Sequence, residues 1–235
     1  MNIIITGASS GIGFEAVIEL AASAGKHKIM ALARSQEKLQ KLAEIALGLN
    51  PEAEIYPVKF DIIYDDYSAL QQFINTHFEG RVDVLINNAG VLINKPFTEL
   101  AGDDFVEMIQ SNYLGHVRAI QSLHGFMPAG SHIVNIGSMG AYQGSAKFTG
   151  LSAYSASKAA LHTLTECLAQ EFNELGIKVN CLALGSAQTE MLEKAFPGYE
   201  SPVMAFEMGK YVADFALTGH KFFNGKILPV AGVTP

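Results

Sequence analysis

Seven short apolar runs recur along the chain, each separated from the next by a stretch of helical periodicity. This alternation limits the possible folds more than any other feature. The runs at 2–6, 27–33, 53–60, 82–86, 132–136, 178–184 and 226–230 are rich in Ile, Val and Leu and have strand length. Strands that alternate with helices form βαβ units, and these build a parallel sheet covered on both faces. The predicted fold class is α/β, a single doubly wound seven-stranded parallel sheet with helices on both faces. Between the strands, helices are predicted from Gly11 to about Ser23 and from a Ser35 N-cap to the Asn50-Pro51 stop. Others run from Asp65 to about Phe78, as one long helix from Asp103 to about Met127, and from near Ala153 through Leu161, Leu164, Leu168, Phe172 and Leu175 to a Gly176 cap. No linker, low-complexity tract or repeat interrupts the pattern, so residues 1–235 read as one domain.

Composition narrows the function. With 49% apolar and 17% charged residues, a chain of 235 residues can bury a substantial core. A net charge of −7 excludes a general nucleic-acid binder and does not favour an anionic membrane surface. No span reaches the roughly 20 apolar residues of a membrane helix, and Met1-Asn2-Ile3-Ile4-Ile5 enters a strand with no basic leader. A soluble, cytoplasmic protein is expected. Cys167 and Cys181 are expected to be buried free thiols. None of the seven histidines groups with cysteine or carboxylate, so no metal site is expected. His116 falls one turn after Asn112 and is read as a packed or surface histidine, with reach to the edge of a site there.

The first strand opens into Thr6-Gly7-Ala8-Ser9-Ser10-Gly11-Ile12-Gly13, then a helix. Glycines let a backbone turn tightly and approach a ligand, and a helix N-terminus offers N–H groups and positive dipole to a pyrophosphate. Gly7, Ser9, Ser10, Gly11, Ile12 and Gly13 are therefore candidate dinucleotide contacts. The spacing G-x3-G-x-G differs from the G-x-G-x-x-G of two-domain dehydrogenases, and a purely structural turn is the alternative. An NAD binder usually carries an acid at the end of the second strand. Here Ala33 is followed by Arg34, whose guanidinium suits a 2′-phosphate, so NADP(H) is favoured over NAD(H). A solvated surface charge is the other account of Arg34.

Tyr154-Ser155-Ala156-Ser157-Lys158 puts a phenol and an ammonium four residues apart, on one helix face. A phenol ordinarily titrates near ~10. A positive charge ~4 Å away, at an effective dielectric of ~20, contributes roughly 4 kcal/mol, equal to about 3 pKa units. Lys158 is thus expected to draw Tyr154 toward the ~7 that suits a general acid–base.

With the glycine turn, Asn87-Asn88-Ala89-Gly90 and Tyr154-x-x-x-Lys158 in this order, the sequence resembles the short-chain dehydrogenase/reductase family, single-domain NADP(H)-preferring branch. The resemblance extends from Asn2 to about Gly232. It implies that Ser138 hydrogen-bonds the substrate oxygen and that Asn112 holds a proton-relay water. It further implies that Asp61 and Ile62 lie beside the adenine, and that Asn88, Ala89 and Gly90 line the adenosine-ribose side. Ala187 and Thr189 would lie near the nicotinamide, with Thr189 on its carboxamide. Lys158 would also hold the nicotinamide ribose. The helix after Tyr154 would pair with its twin in a homodimer or homotetramer.

Two departures stand out. The spacing from Ser138 to Tyr154 exceeds the family's usual one, which predicts a bulge over 140–150 that reshapes or covers the substrate mouth. Leu184-Gly185 replaces the family's usual Pro-Gly, which loosens the Thr189 assignment. Met191, Leu192, Phe196, Met204 and Phe206 make the segment 186–208 apolar, so the expected substrate is a small or medium hydrophobic ketone, aldehyde or alcohol. The activity expected is NADP(H)-dependent carbonyl reduction or the reverse, with Asn112, Ser138, Tyr154 and Lys158 as the catalytic set. The rival from another class is an NADP(H)-binding sensor without turnover. An epimerase or dehydratase would call for a C-terminal substrate region that the sequence does not display.

Overall fold

A computed structural model of the chain describes residues 1–232. Seven parallel strands form one sheet in the order β3-β2-β1-β4-β5-β6-β7. They are β1 (Asn2–Thr6), β2 (Lys28–Ala33), β3 (Glu54–Lys59), β4 (Val84–Asn87), β5 (His132–Ser138), β6 (Lys178–Leu184) and β7 (Ile227–Val230). The predicted sheet is thus the one observed. Strand order reverses between β1 and β4, where Ile3, Ile4 and Ile5 pair with Ile29, Met30 and Ala31 on one side and with Val84, Leu85 and Ile86 on the other. Connections leave in opposite directions at that point. A crevice therefore opens at the carboxyl ends of β1 and β4, the place where doubly wound sheets bind ligands.

Side chains alternate across a strand, so each face of the sheet has its own core. Ile3 and Ile5 pack with Val17, Leu20, Leu39 and Val212 on one face. Ile4 packs with Leu70, Ile74, Phe78 and Leu123 on the other. The helices are α1 (Gly11–Ala22), α2 (Gln36–Leu49), α3 (Tyr67–His77), α4 (Gly102–Ile109), α5 (Gly115–Leu123), α6 (Ser152–Glu171), α7 (Glu190–Ala195) and α8 (Ala205–Thr218). Ser35 caps α2 as expected, its hydroxyl accepting from the Lys38 N–H.

Several sequence expectations need correction. The helix predicted from Asp103 to Met127 is broken: Gln110–Leu114 form a π turn between α4 and α5. Within this turn Asn112 is fully buried, its side chain bonded away from its own helix. Helix α6 ends at Glu171 rather than at Gly176; Gly176, at φ 71°, closes the turn that follows, its N–H reaching the Asn173 carbonyl. Leu175 is consequently exposed. Cys181 is buried but Cys167 is exposed. Helix α8 was not foreseen. It lies so close to α1 that a Cβ on Gly209 would stand 2.4 Å from that of Glu15.

Candidate active site

The crevice is a cavity of about 1090 Å³ that runs from Arg34 to the segment 186–208. Its floor is the glycine turn. Ser10 is the N-cap of α1 but makes no side-chain cap bond, and no acid occupies the first turn, so that helix end presents uncapped N–H groups. Gly7, Ser9, Ser10, Gly11 and Ile12 line the cavity.

The glycines are needed for a reason the sequence did not disclose. A Cβ on Gly7 would lie 2.6 Å from Ala89 Cα, and one on Gly13 would lie 2.3 Å from Asn88 Nδ2. Both glycines make room for the segment after β4, and Gly7 faces the cavity as well. Gly13 sits behind the wall and does not line the cavity. Asn88 Nδ2 donates to the Thr6 and Gly7 carbonyls, both at 3.0 Å. Thr6 Oγ1 accepts the N–H groups of Asn88 and Ala89, both at 3.0 Å. Thr6 thereby joins the two motifs, a role that sequence reasoning missed.

At one end of the cavity stand Arg34, Ser35 and Lys38, with Asp61 and Ile62 nearby. Arg34 is exposed, and among the described residues it forms no ion pair. The Asp61 carboxylate is turned onto the Ile63 N–H at 2.8 Å. Ile62 Cδ1 fills the space a Cβ on Gly115 would take, 2.6 Å away. An uncapped helix end, glycines at the turn and an unpaired guanidinium form a donor set suited to a phosphorylated dinucleotide.

Ser138, Tyr154 and Lys158 line the same cavity beyond Gly90. Lys158 comes from α6 and is buried. Its Nζ donates to the Ile136 carbonyl at the end of β5, 2.8 Å away. Burial draws its pKa down to about 8, while Cys181 works in the opposite sense. Tyr154 departs from expectation. Burial raises its phenol above the ordinary value, and the neighbouring Ser138 hydroxyl opposes that rise. The Lys158 ammonium is itself held by the Ile136 carbonyl. Ser138 Oγ accepts the Gly140 N–H at 3.2 Å. The Ser138 N–H points to His162 Nε2 at 3.4 Å.

Asn112 is brought to this site but not onto the cavity surface. Its Oδ1 accepts from the Val91 N–H at 2.9 Å, and its Nδ2 donates to the Val91 carbonyl at 2.9 Å and to Ser157 Oγ at 3.0 Å. Ser157 Oγ in turn donates to the Tyr154 carbonyl at 2.7 Å. The amide thus ties the segment after β4 to the backbone of the tyrosine, and its neighbour Ser111 is the residue that lines the cavity.

The far end is apolar, lined by Leu92, Met139, Leu151, Met191, Phe196 and Met208 among others. Phe148, on the predicted bulge, also lines it. The bulge is pinned by Lys147 Nζ, which donates to the Tyr142 carbonyl at 2.6 Å and to Ser145 Oγ at 2.9 Å. Ala187 and Thr189 line the cavity too. Thr189 Oγ1 is occupied in capping α7 through the Leu192 N–H at 3.2 Å. Among the described residues no group of three His, Cys, Asp or Glu side chains is arranged to hold a metal ion, and no helix is long and apolar enough to cross a membrane.

Residues 1–200 match the family model described as short chain dehydrogenase. The chain belongs to the short-chain dehydrogenase family. Within it, a fatty acyl-CoA reductase of Acinetobacter baylyi is 34% identical over 195 residues, which are 80% of this chain and 63% of that protein. The chain therefore spans less than two thirds of that relative's length. An uncharacterized oxidoreductase of Staphylococcus epidermidis is 29% identical over 223 residues, 94% of this chain and 92% of that one. A short-chain dehydrogenase of Burkholderia cenocepacia in complex with NADP superposes with a TM-score of 0.83 at 25% identity, covering 99% of this chain and 96% of that one. The protein is thus an oxidoreductase of a family whose members use nicotinamide cofactors and act on small molecules.

Proposed function

We propose that this short-chain dehydrogenase transfers hydride between NADP(H) and a small or medium hydrophobic carbonyl or alcohol, with Tyr154 as general acid–base. One observation carries the proposal: Ser138, Tyr154 and Lys158 share a single cavity with the uncapped α1 N-terminus and Arg34. Gly7, Ser9, Ser10, Gly11 and Ile12 would hold the pyrophosphate, and Arg34 the 2′-phosphate. Asp61, Ile62, Asn88, Ala89 and Gly90 would flank the adenosine half; Lys158, Ala187 and Thr189 would flank the nicotinamide half. When bound, the cofactor supplies the hydride chemistry.

The chain's own residues supply position and protons. Ser138 Oγ donates to the substrate oxygen and stabilises the charge that builds there. Tyr154 gives that oxygen a proton, and burial, which raises its pKa, favours the protonated form this step consumes. Lys158, anchored on Ile136, places a positive charge beside the phenolate that remains and favours its formation. Asn112 acts by positioning, since its amide fixes the Tyr154 backbone through Ser157. In the wider reading, one domain carries both halves of the site, works in the cytoplasm and assembles as a homodimer or homotetramer.

The apolar end supports a hydrophobic substrate. Apart from Lys158, the cations that line the cavity are Arg34 and Lys38, both at the opposite end, so an uncharged carbonyl fits better than a carboxylate or phosphate. The fatty acyl-CoA reductase relative agrees with an apolar chain in this space. The test is NADPH consumption against a panel of ketones and aldehydes of rising chain length. Turnover should increase with apolar chain and fall when a carboxylate is added. Binding of NADPH without turnover of any carbonyl would refute the enzyme and favour a sensor.

A further inference from the structure

Of the charged groups that line the cavity, Glu190 has no part in the reaction proposed above. It opens α7, and its Oε2 lies 3.2 Å from Lys38 Nζ, 152 positions earlier in the chain. Lys38 stands in the first turn of α2, on the Arg34 side of the cleft. Helix α7 also touches other parts of the wall. Thr189 Cγ2, just before it, would meet a Cβ on Gly11 at 3.3 Å, and Asn94 Nδ2 donates to the Ala195 carbonyl at 2.7 Å. The short helix therefore lies across the cleft, with an ion pair closing its Arg34 side.

We propose that Glu190 and the 2′-phosphate of NADP(H) compete for Lys38, so that the Lys38–Glu190 pair is a strap which the phosphorylated cofactor, and not NAD(H), unfastens. The inference rests on the NADP(H) reading above and extends it. It makes Lys38 a second cation for the phosphate and makes Glu190 a residue that sets cofactor discrimination. A phosphate monoester carries between one and two negative charges near neutral pH, with three strong acceptor oxygens. A carboxylate brings one charge, so the ammonium gains by exchange. Both members of the pair are half exposed, at 50% and 60%, and an exposed pair adds little to stability. It is therefore easily broken. If it stayed closed, the carboxylate would repel the incoming phosphate. A ribose 2′-hydroxyl brings no charge, gives Lys38 no reason to leave, and keeps the strap shut. The strap costs NADP(H) some affinity and makes release of α7 depend on which cofactor arrives.

The protein contains no tryptophan, so nicotinamide fluorescence can be followed without protein emission from that source. NADPH and NADH are titrated into the cofactor-free protein, its Glu190→Gln and Lys38→Gln variants and the double variant. Glu190→Gln should tighten NADPH about threefold and change NADH much less, in proportion to the loss of one exposed pair. Lys38→Gln should weaken NADPH about fivefold, and in that background Glu190→Gln should lose most of its gain. Without cofactor, both single variants should speed amide exchange over Glu190–Ala195 to a similar extent. The strap is overturned if Glu190→Gln shifts both cofactors equally or neither, or if Lys38→Gln leaves NADPH binding unchanged. If instead the unsubstituted protein binds NADPH no more tightly than NADH, the NADP(H) assignment itself fails, and the same titration reports it.

Discussion

Thr6 Oγ1 accepts two backbone N–H groups, from Asn88 and Ala89, and no part of the residue reaches solvent. A buried donor left without a partner costs roughly 1–3 kcal/mol. Thr6→Val keeps the shape and strands both donors, so urea unfolding should show a loss of about 2–4 kcal/mol, with Thr6→Ser close to the parent. Equal stability of the two variants would show that the hydroxyl is not the link between the motifs. The motifs themselves were plain in the sequence because their residue types are rare and fixed in spacing. The joint between them was not, since a threonine ending a strand looks like any other β-branched residue. Tyr154 teaches the converse. Its spacing from Lys158 is readable, but the burial that raises its phenol is set by the whole fold. Ile136, on a separate strand, holds the Lys158 ammonium.

The α4–π–α5 segment illustrates the next scale. π turns are rare and recur at functional sites, where one extra residue re-aims a side chain. Here the segment sends Asn112 to Val91 and Ser157. Asn112→Leu would fill the space and leave both polar groups of Val91 without that amide. A loss of about 2–4 kcal/mol in urea unfolding is expected. Turnover should fall more than NADPH affinity, because the lost link runs to the tyrosine backbone. A variant with parent-like turnover would remove the positioning role. Apolar periodicity predicted one helix here because a single inserted residue hardly disturbs a 3.6-residue repeat. The same limit applies to α7 and to the start of α8, where Met191, Leu192 and Phe206 read as part of an apolar substrate segment over 186–208. Met208 does line the cavity, yet α8 is held by close approach to α1 at Gly209.

At the scale of the molecule, the sheet was legible because every strand is apolar on both faces and every crossover is long enough for a helix. The placement of charge was less so. His116, His132 and His162 are buried, and burial lowers their pKa values to about 3, 4 and 4. His27 and His220 are lowered in the same direction. An unfolded chain takes up these protons near ~6.5. As pH falls from there, the unfolded state binds more protons than the folded one, so stability is full above ~6.5 and declines toward pH 4. Melting temperature should therefore drop between pH 7 and pH 5, before most carboxylates titrate. A flat profile across that window would mean that these imidazoles are not held neutral by the fold.

The most direct measurement of the central claim pairs two readouts on Tyr154→Phe. NADPH affinity comes from nicotinamide fluorescence, and single-turnover oxidation of NADPH is followed with the best carbonyl of the panel. Affinity within about twofold of the parent, with the hydride step slowed by the 10²–10⁴ typical of a lost general acid, is the result predicted. A variant that oxidises NADPH as fast as the parent would contradict the assignment of Tyr154 as the proton donor.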